Sequence, residues 1–161
     1  MTKKLKKEVY LALIDIRGAL NVGALFRTAD AAGITKMYLV GYTPAPLDRF
    51  LRVRSDVAKA ALGAEKTIAW EQVSDVATFF KLLKKGGVSS VALEQDKNAV
   101  NYKKVKPVFP VCFILGNEVE GLSAKVLKKV DTIAEIPMRG KKESLNVSVA
   151  GGVALFRILG I

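Results

Sequence analysis

The chain has 161 residues, half of them apolar, with 26 Lys plus Arg against 15 Asp plus Glu and a formal charge of +11 at neutral pH. That is enough for a single domain over residues 1–161 with a substantial core, and so large a cationic excess points to a polyanionic partner. With no histidine and one cysteine a zinc site is excluded. No apolar run is long enough to span a bilayer, and the N-terminal lysines lack a signal peptide's apolar block, so a cytoplasmic protein is expected.

In chain order, residues 9–14 read as a buried strand and 15–21 as a polar turn, with Asn21 the natural cap of a helix over 22–32 that Gly33 ends. A strand over 36–40 follows. Residues 41–56, with Pro44, Pro46 and several arginines but no periodicity, read as a long mobile surface loop. Then come a helix over 57–62, a short strand over 67–69 and an amphipathic helix over 73–84 closed by Gly86 and Gly87. Strands over 88–93 and 111–115, a helix over 123–130, a strand over 132–136 and a helix from Asn146 to about Leu159 complete the chain. Cys112 falls in the apolar run 111–115, where a buried, inert thiol is expected. Strands alternating with helices predict an α/β fold, a parallel sheet flanked by helices on both faces.

In such a sheet, ligands sit beyond the carboxyl ends of the strands. Three loops there are unusual. At 21–29, Arg27 sits among Ala24, Phe26 and Ala29, where its guanidinium needs a carboxylate, a phosphate or a backbone carbonyl as partner. At 115–122, Gly116 and Gly121 bracket a tight turn, and Asn117 and Glu118 can hydrogen-bond a ribose or an amide. At 136–150 a basic loop runs into an apolar helix, and Ser144 and Asn146 serve either as helix caps or as site residues. No G-x-G-x-x-G or G-x-x-x-x-G-K string is present, which argues against nicotinamide enzymes and P-loop phosphotransferases.

The strings N-x-G-A-x-x-R-T-A at 21–29, L-G-N-E-x-x-G-L at 115–122 and I-P-M-x-G-x-x-x-S-L-N-V-S-V-A at 136–150 closely resemble the three motifs of the SpoU/TrmH family of SPOUT RNA methyltransferases. Order and spacing match too, and the resemblance covers residues 9–159. It implies S-adenosylmethionine as cofactor, methyl transfer to a ribose 2′-hydroxyl in tRNA or rRNA, and a deep trefoil knot in the C-terminal part of the sheet. By the same resemblance Leu93, Glu94, Leu115, Gly116, Asn117, Gly121, Ile136, Met138, Ser144 and Leu145 hold the cofactor, largely through backbone. Asn21, Arg27, Glu118, Ser144 and Asn146 match the residues assigned to catalysis or positioning.

Family members dimerise through the C-terminal helix and knot region, and the helix over 146–159 is apolar on more sides than one sheet can cover. The chain has no stretch matching the separate RNA-binding domain of many rRNA enzymes, so RNA is expected to be gripped by Arg49, Arg52, Arg54, Arg139, Lys141 and Lys142. Its compact size resembles the minimal tRNA-modifying members, which places tRNA ahead of rRNA. The alternatives are a non-catalytic RNA-binding protein on the same fold and a base-nitrogen methyltransferase; the S-L-N-x-S string favours ribose.

Overall fold

Two apolar runs set the centre of the molecule. Val9–Ile14 (β1) is buried at all but one position and Val111–Leu115 (β6) at every position, which requires cover on both faces of the sheet. The computed structural model describes residues 7–161, so Lys3, Lys4 and Lys6 of the N-terminal basic cluster lie outside the described residues. Between and after these strands run α1 (Ala19–Ala31), β2 (Lys36–Val40), α2 (Ser55–Ala61), α3 (Ala64–Thr67), β3 (Ala69–Val73), α4 (Val76–Lys85), β4 (Ser89–Leu93) and β5 (Val100–Asn101). A 3-10 turn at Tyr102–Lys104 leads to β6, and α5 (Ala124–Leu127), β7 (Thr132–Glu135) and α6 (Val147–Leu159) follow.

All strand pairs are parallel, in the order β3-β2-β1-β6-β4-β7-β5. Because side chains alternate along a strand, β1 sends Leu11 and Leu13 to one face and Ala12 and Ile14 to the other. On the first face they meet Leu25 and Phe26 of α1, Val57 of α2 and Leu155 of α6. On the second, Phe79 of α4 and Val126 of α5 complete the core together with Cys112, whose thiol burial pushes far above its ordinary pKa. The α/β reading therefore holds. β6 inserts between β1 and β4, and β7 between β4 and β5, an order that accords with the knotted SPOUT arrangement. Gly23 lets α1 and α2 touch, since a Cβ there would lie 2.4 Å from the Val57 carbonyl oxygen.

Five local readings change. Asn21 is not a cap: α1 begins at Ala19 with extended Gly18 as its cap, and the Asn21 side chain is drawn to other motifs. The third strand lies at Ala69–Val73, recruited by pairing with β2, and α4 starts at Val76 because the Asp75 carboxylate accepts the Thr78 N–H at 2.8 Å. β5 has two residues, too few for any periodicity. Residues 41–54 are built rather than loose: the Thr43 hydroxyl donates to the Leu13 and Val40 carbonyls, and Leu47 pairs antiparallel with Val53. Among the described residues no helix is long and apolar enough to cross a membrane.

Candidate active site

At the carboxyl ends of β4, β6 and β7 lies a cavity of about 450 Å³, a size suited to a cofactor. The ten residues from Leu93 to Leu145 expected to hold a cofactor all line it, as do Glu118 and Asn146. Its wall also includes Gln95, Glu120, Val147 and Ala150, which sequence reasoning missed. The last two could have been found, since they lie three residues apart and share one face at the start of α6. In a chain of charge +11, the lining holds the carboxylates of Glu94, Glu118 and Glu120 and no lysine or arginine. The wall therefore suits a cationic or neutral ligand and repels a phosphate.

A continuous set of hydrogen bonds joins the three motifs. The Glu118 carboxylate accepts the Arg17 and Gly18 N–H groups, each at 2.9 Å, and the Asn21 side-chain amide at 3.0 Å. The Asn21 carbonyl oxygen in turn accepts the Asn146 amide at 3.2 Å. Asn146 caps α6, its oxygen accepting the Ser148 N–H at 2.9 Å and the Ser148 hydroxyl at 2.6 Å. Partial burial raises the pKa of Glu118, but its donors outweigh that and hold it below the usual carboxylate value.

A depressed folded pKa makes Glu118 stabilising above the ordinary carboxylate range, with the contribution lost as pH falls through the depressed value. Glu118→Gln presents an amide donor to N–H groups that need an acceptor. We expect it to lower stability by about 1–3 kcal/mol at neutral pH, and the gap to wild type in thermal midpoint to shrink as pH falls into the acid range. A gap constant with pH would refute the role.

Asn117, expected to meet a ribose or amide, turns its side chain inward instead. Its amide donates to the Asp15 carbonyl and the Tyr42 hydroxyl, each at 2.9 Å, and its oxygen accepts the Val119 and Glu120 N–H groups. That shapes the turn and leaves backbone to face the cavity. Glu94 clamps the far end of the same turn by accepting the Leu122 N–H at 2.8 Å. Gly121 permits this, with φ +65° and no side chain to displace the carboxylate. Gln95 ties the β4 loop to the segment before α6, its amide donating to the Glu143 carbonyl at 2.7 Å.

The remaining expected site residues divide. Ser144 and Leu145 are exposed on the cavity wall. Arg27 stands on the exposed side of α1, outside the lining, and forms no ion pair among the described residues. Of the basic residues expected to grip RNA, Arg52 pairs with Asp48 at 2.9 Å and Arg54 with Asp56 at 2.7 Å. Arg49, Arg139, Lys141 and Lys142 are exposed without such pairs among the described residues.

A parallel sheet with interleaved later strands, and a cavity built by three loops at its carboxyl edge, defines a SPOUT-type α/β domain. The chain belongs to the SpoU rRNA methylase family, whose model matches residues 8–156. It is 36% identical over 150 residues to the 23S rRNA (guanosine-2′-O-)-methyltransferase RlmB of Ralstonia nicotianae, covering 91% of this chain and 56% of that protein. The AdoMet-bound rRNA methyltransferase of Sinorhizobium meliloti superposes with a TM-score of 0.85 at 31% identity, over 94% of this chain and 55% of that one. The A. aeolicus TrmH/SpoU tRNA modifying enzyme gives a TM-score of 0.82 at 26% identity, over 96% of this chain and 75% of that one. This chain thus spans a little over half the length of the first two relatives.

Proposed function

We propose that the chain transfers a methyl group from S-adenosylmethionine to a ribose 2′-hydroxyl of rRNA. The observation behind this reading is the convergence of the loop after β4 and two distant motifs on one acidic cavity free of basic side chains, with the third motif tied to them by Asn21. The donor set fits the cofactor: apolar Leu93, Leu115, Ile136, Met138 and Leu145 suit its adenine ring, and the carboxylates suit its cationic sulfonium and ammonium groups. When bound, the cofactor supplies an electrophilic methyl. Ser144 and Asn146 line the wall, and their hydroxyl and amide groups suit positioning of a ribose oxygen. The two more identical relatives described above are rRNA enzymes, which favours rRNA over the tRNA expected from the sequence.

Arg27 lies outside the cavity of its own chain. It shares the outer layer of α1 and α6 with exposed Leu20, Val149, Val153 and Phe156. Two copies joined through this apolar face would cover it and bring Arg27 to the neighbouring site. Val153, 40% exposed, tests the arrangement: Val153→Glu buries a charge at the contact and is expected to convert dimer to monomer in sedimentation at micromolar concentration, with loss of methyl transfer. A wild-type chain that sediments only as monomer refutes it.

The function itself is tested by incubating the protein with isotopically labelled S-adenosylmethionine and separate unmodified rRNA and tRNA, then identifying labelled nucleosides by mass spectrometry. Label in a 2′-O-methylnucleoside of rRNA is expected. Label in tRNA alone overturns the substrate, and label on a base nitrogen overturns the reaction.

A further inference from the structure

The hairpin tip at residues 47–53 is a structured platform that the methyl-transfer site does not use. Asp48 organises it: one carboxylate oxygen accepts the Phe50 N–H at 2.8 Å and the Arg52 N–H at 3.0 Å, and the other accepts Arg52 Nε at 2.9 Å. Backbone bonds from Asp48 to Arg52 and from Leu51 to Asp48, both 2.9 Å, close the turn. The result presents Phe50 to solvent at 61% exposure, with the guanidinium groups of Arg49 and Arg52 at 4.8 and 5.0 Å from its ring centroid. An aromatic ring held in water by a rigid turn, with two guanidinium planes over it on a chain of charge +11, has the chemistry of a mixed aromatic and arginine surface for nucleobase stacking.

Its place supports the same occupant. The hairpin follows β2, two strands from β6 on the same carboxyl edge of the sheet, which puts its root roughly 10 Å from the cavity-forming strand. The root touches the turn that builds the cavity, for the exposed Tyr42 has its hydroxyl 2.9 Å from the inward-turned Asn117 amide. Two exposed aromatics, Tyr42 and Phe50, thus lie on the carboxyl edge that also carries the cavity.

We infer that Phe50, flanked by Arg49 and Arg52, stacks on an unpaired base of the RNA beside the methylated nucleotide, which makes the protein selective for single-stranded segments. This rests on the reading of the chain as an RNA methyltransferase. Arg52 then has two tasks, fixing the turn through Asp48 and extending the stacking surface, while Arg49 is free to reach a phosphate.

The test compares wild type, Phe50→Ala, Phe50→Tyr and Leu51→Ser for binding to a single-stranded oligoribonucleotide containing 2-aminopurine and to its fully paired duplex. Stacking predicts that Phe50→Ala weakens single-strand binding about tenfold and relieves the 2-aminopurine quenching, with duplex affinity unchanged. Phe50→Tyr should restore both, and Leu51→Ser, altering an apolar residue 79% exposed beside it, should change neither. Equal single-strand affinity for wild type and Phe50→Ala overturns the inference. So does a shift from dimer to monomer in Phe50→Ala and Leu51→Ser alike, which would make the tip a contact between copies. Methyl transfer by wild type is measured on the same samples. Transfer with Phe50→Ala binding as wild type removes the stacking alone, whereas tenfold weaker binding by Phe50→Ala without any transfer by wild type removes the enzymatic reading and leaves the platform.

Discussion

Replacing Arg27 with alanine is expected to reduce methyl transfer by about 100- to 1000-fold while S-adenosylmethionine affinity changes by less than about twofold. Arg27 projects from α1 outside the cavity lining, so the pocket keeps every wall when the side chain is removed. On the proposed dimer, what is lost is a fixed positive charge brought to the neighbouring site, where it would face the oxygen that must give up its proton and the phosphate that orients it. A guanidinium stays protonated in proteins, which makes it an electrostatic clamp rather than a base. Arg27→Lys should recover part of the rate, because a point charge replaces the cation without its two-pronged geometry. Calorimetric cofactor binding and single-turnover methylation on the same variant decide the matter. Equal loss of both would make Arg27 a structural residue and sink the clamp.

Gly121→Ala is expected to do the opposite, removing cofactor binding at its source. A Cβ there would fall 2.4 Å from the Glu94 carboxylate oxygen that accepts the Leu122 N–H, and the residue sits at φ +65°. The left-handed backbone costs about 1–2 kcal/mol for a residue with a side chain, and a displaced clamp about 1–3 kcal/mol more. The floor of the cavity would shift, so we expect cofactor affinity to fall at least about tenfold and thermal stability to drop as well. Glu94→Gln separates the two contributions, since it weakens the clamp without backbone strain. Wild-type cofactor affinity in Gly121→Ala would show that the turn can move without closing the site.

The sheet was legible in the sequence wherever a strand is buried on both faces. β1 and β6 fall on the residues that the apolar runs mark, because a short apolar run buried at almost every position fits a central parallel strand. β3 was misplaced because its exposed and half-buried residues become strand only through pairing with β2. Strand order lay beyond periodicity altogether. The cavity wall was legible through the second and third motifs and the loop after β4, but the bonds that tie in the first motif were not: Asn21 reaches Glu118 across 97 residues and Asn146 across 125. Local logic made Asn21 a helix cap, and long-range partners took it. The pairing of Arg52 with Asp48 did have a local signal, a separation of four residues.

Those long-range bonds have a consequence in time. The cavity needs β4, the β6 turn and the first turns of α6 together, and Asn146 must be present before it can bond to Asn21 on α1. A chain still being synthesised can form β1, α1 and β2 early, yet it cannot hold a methyl donor until residues as far as Ala150 have left the ribosome. Cofactor binding then favours the finished fold over every incomplete one, by mass action. Capture of the donor would thus mark chains folded through the start of α6.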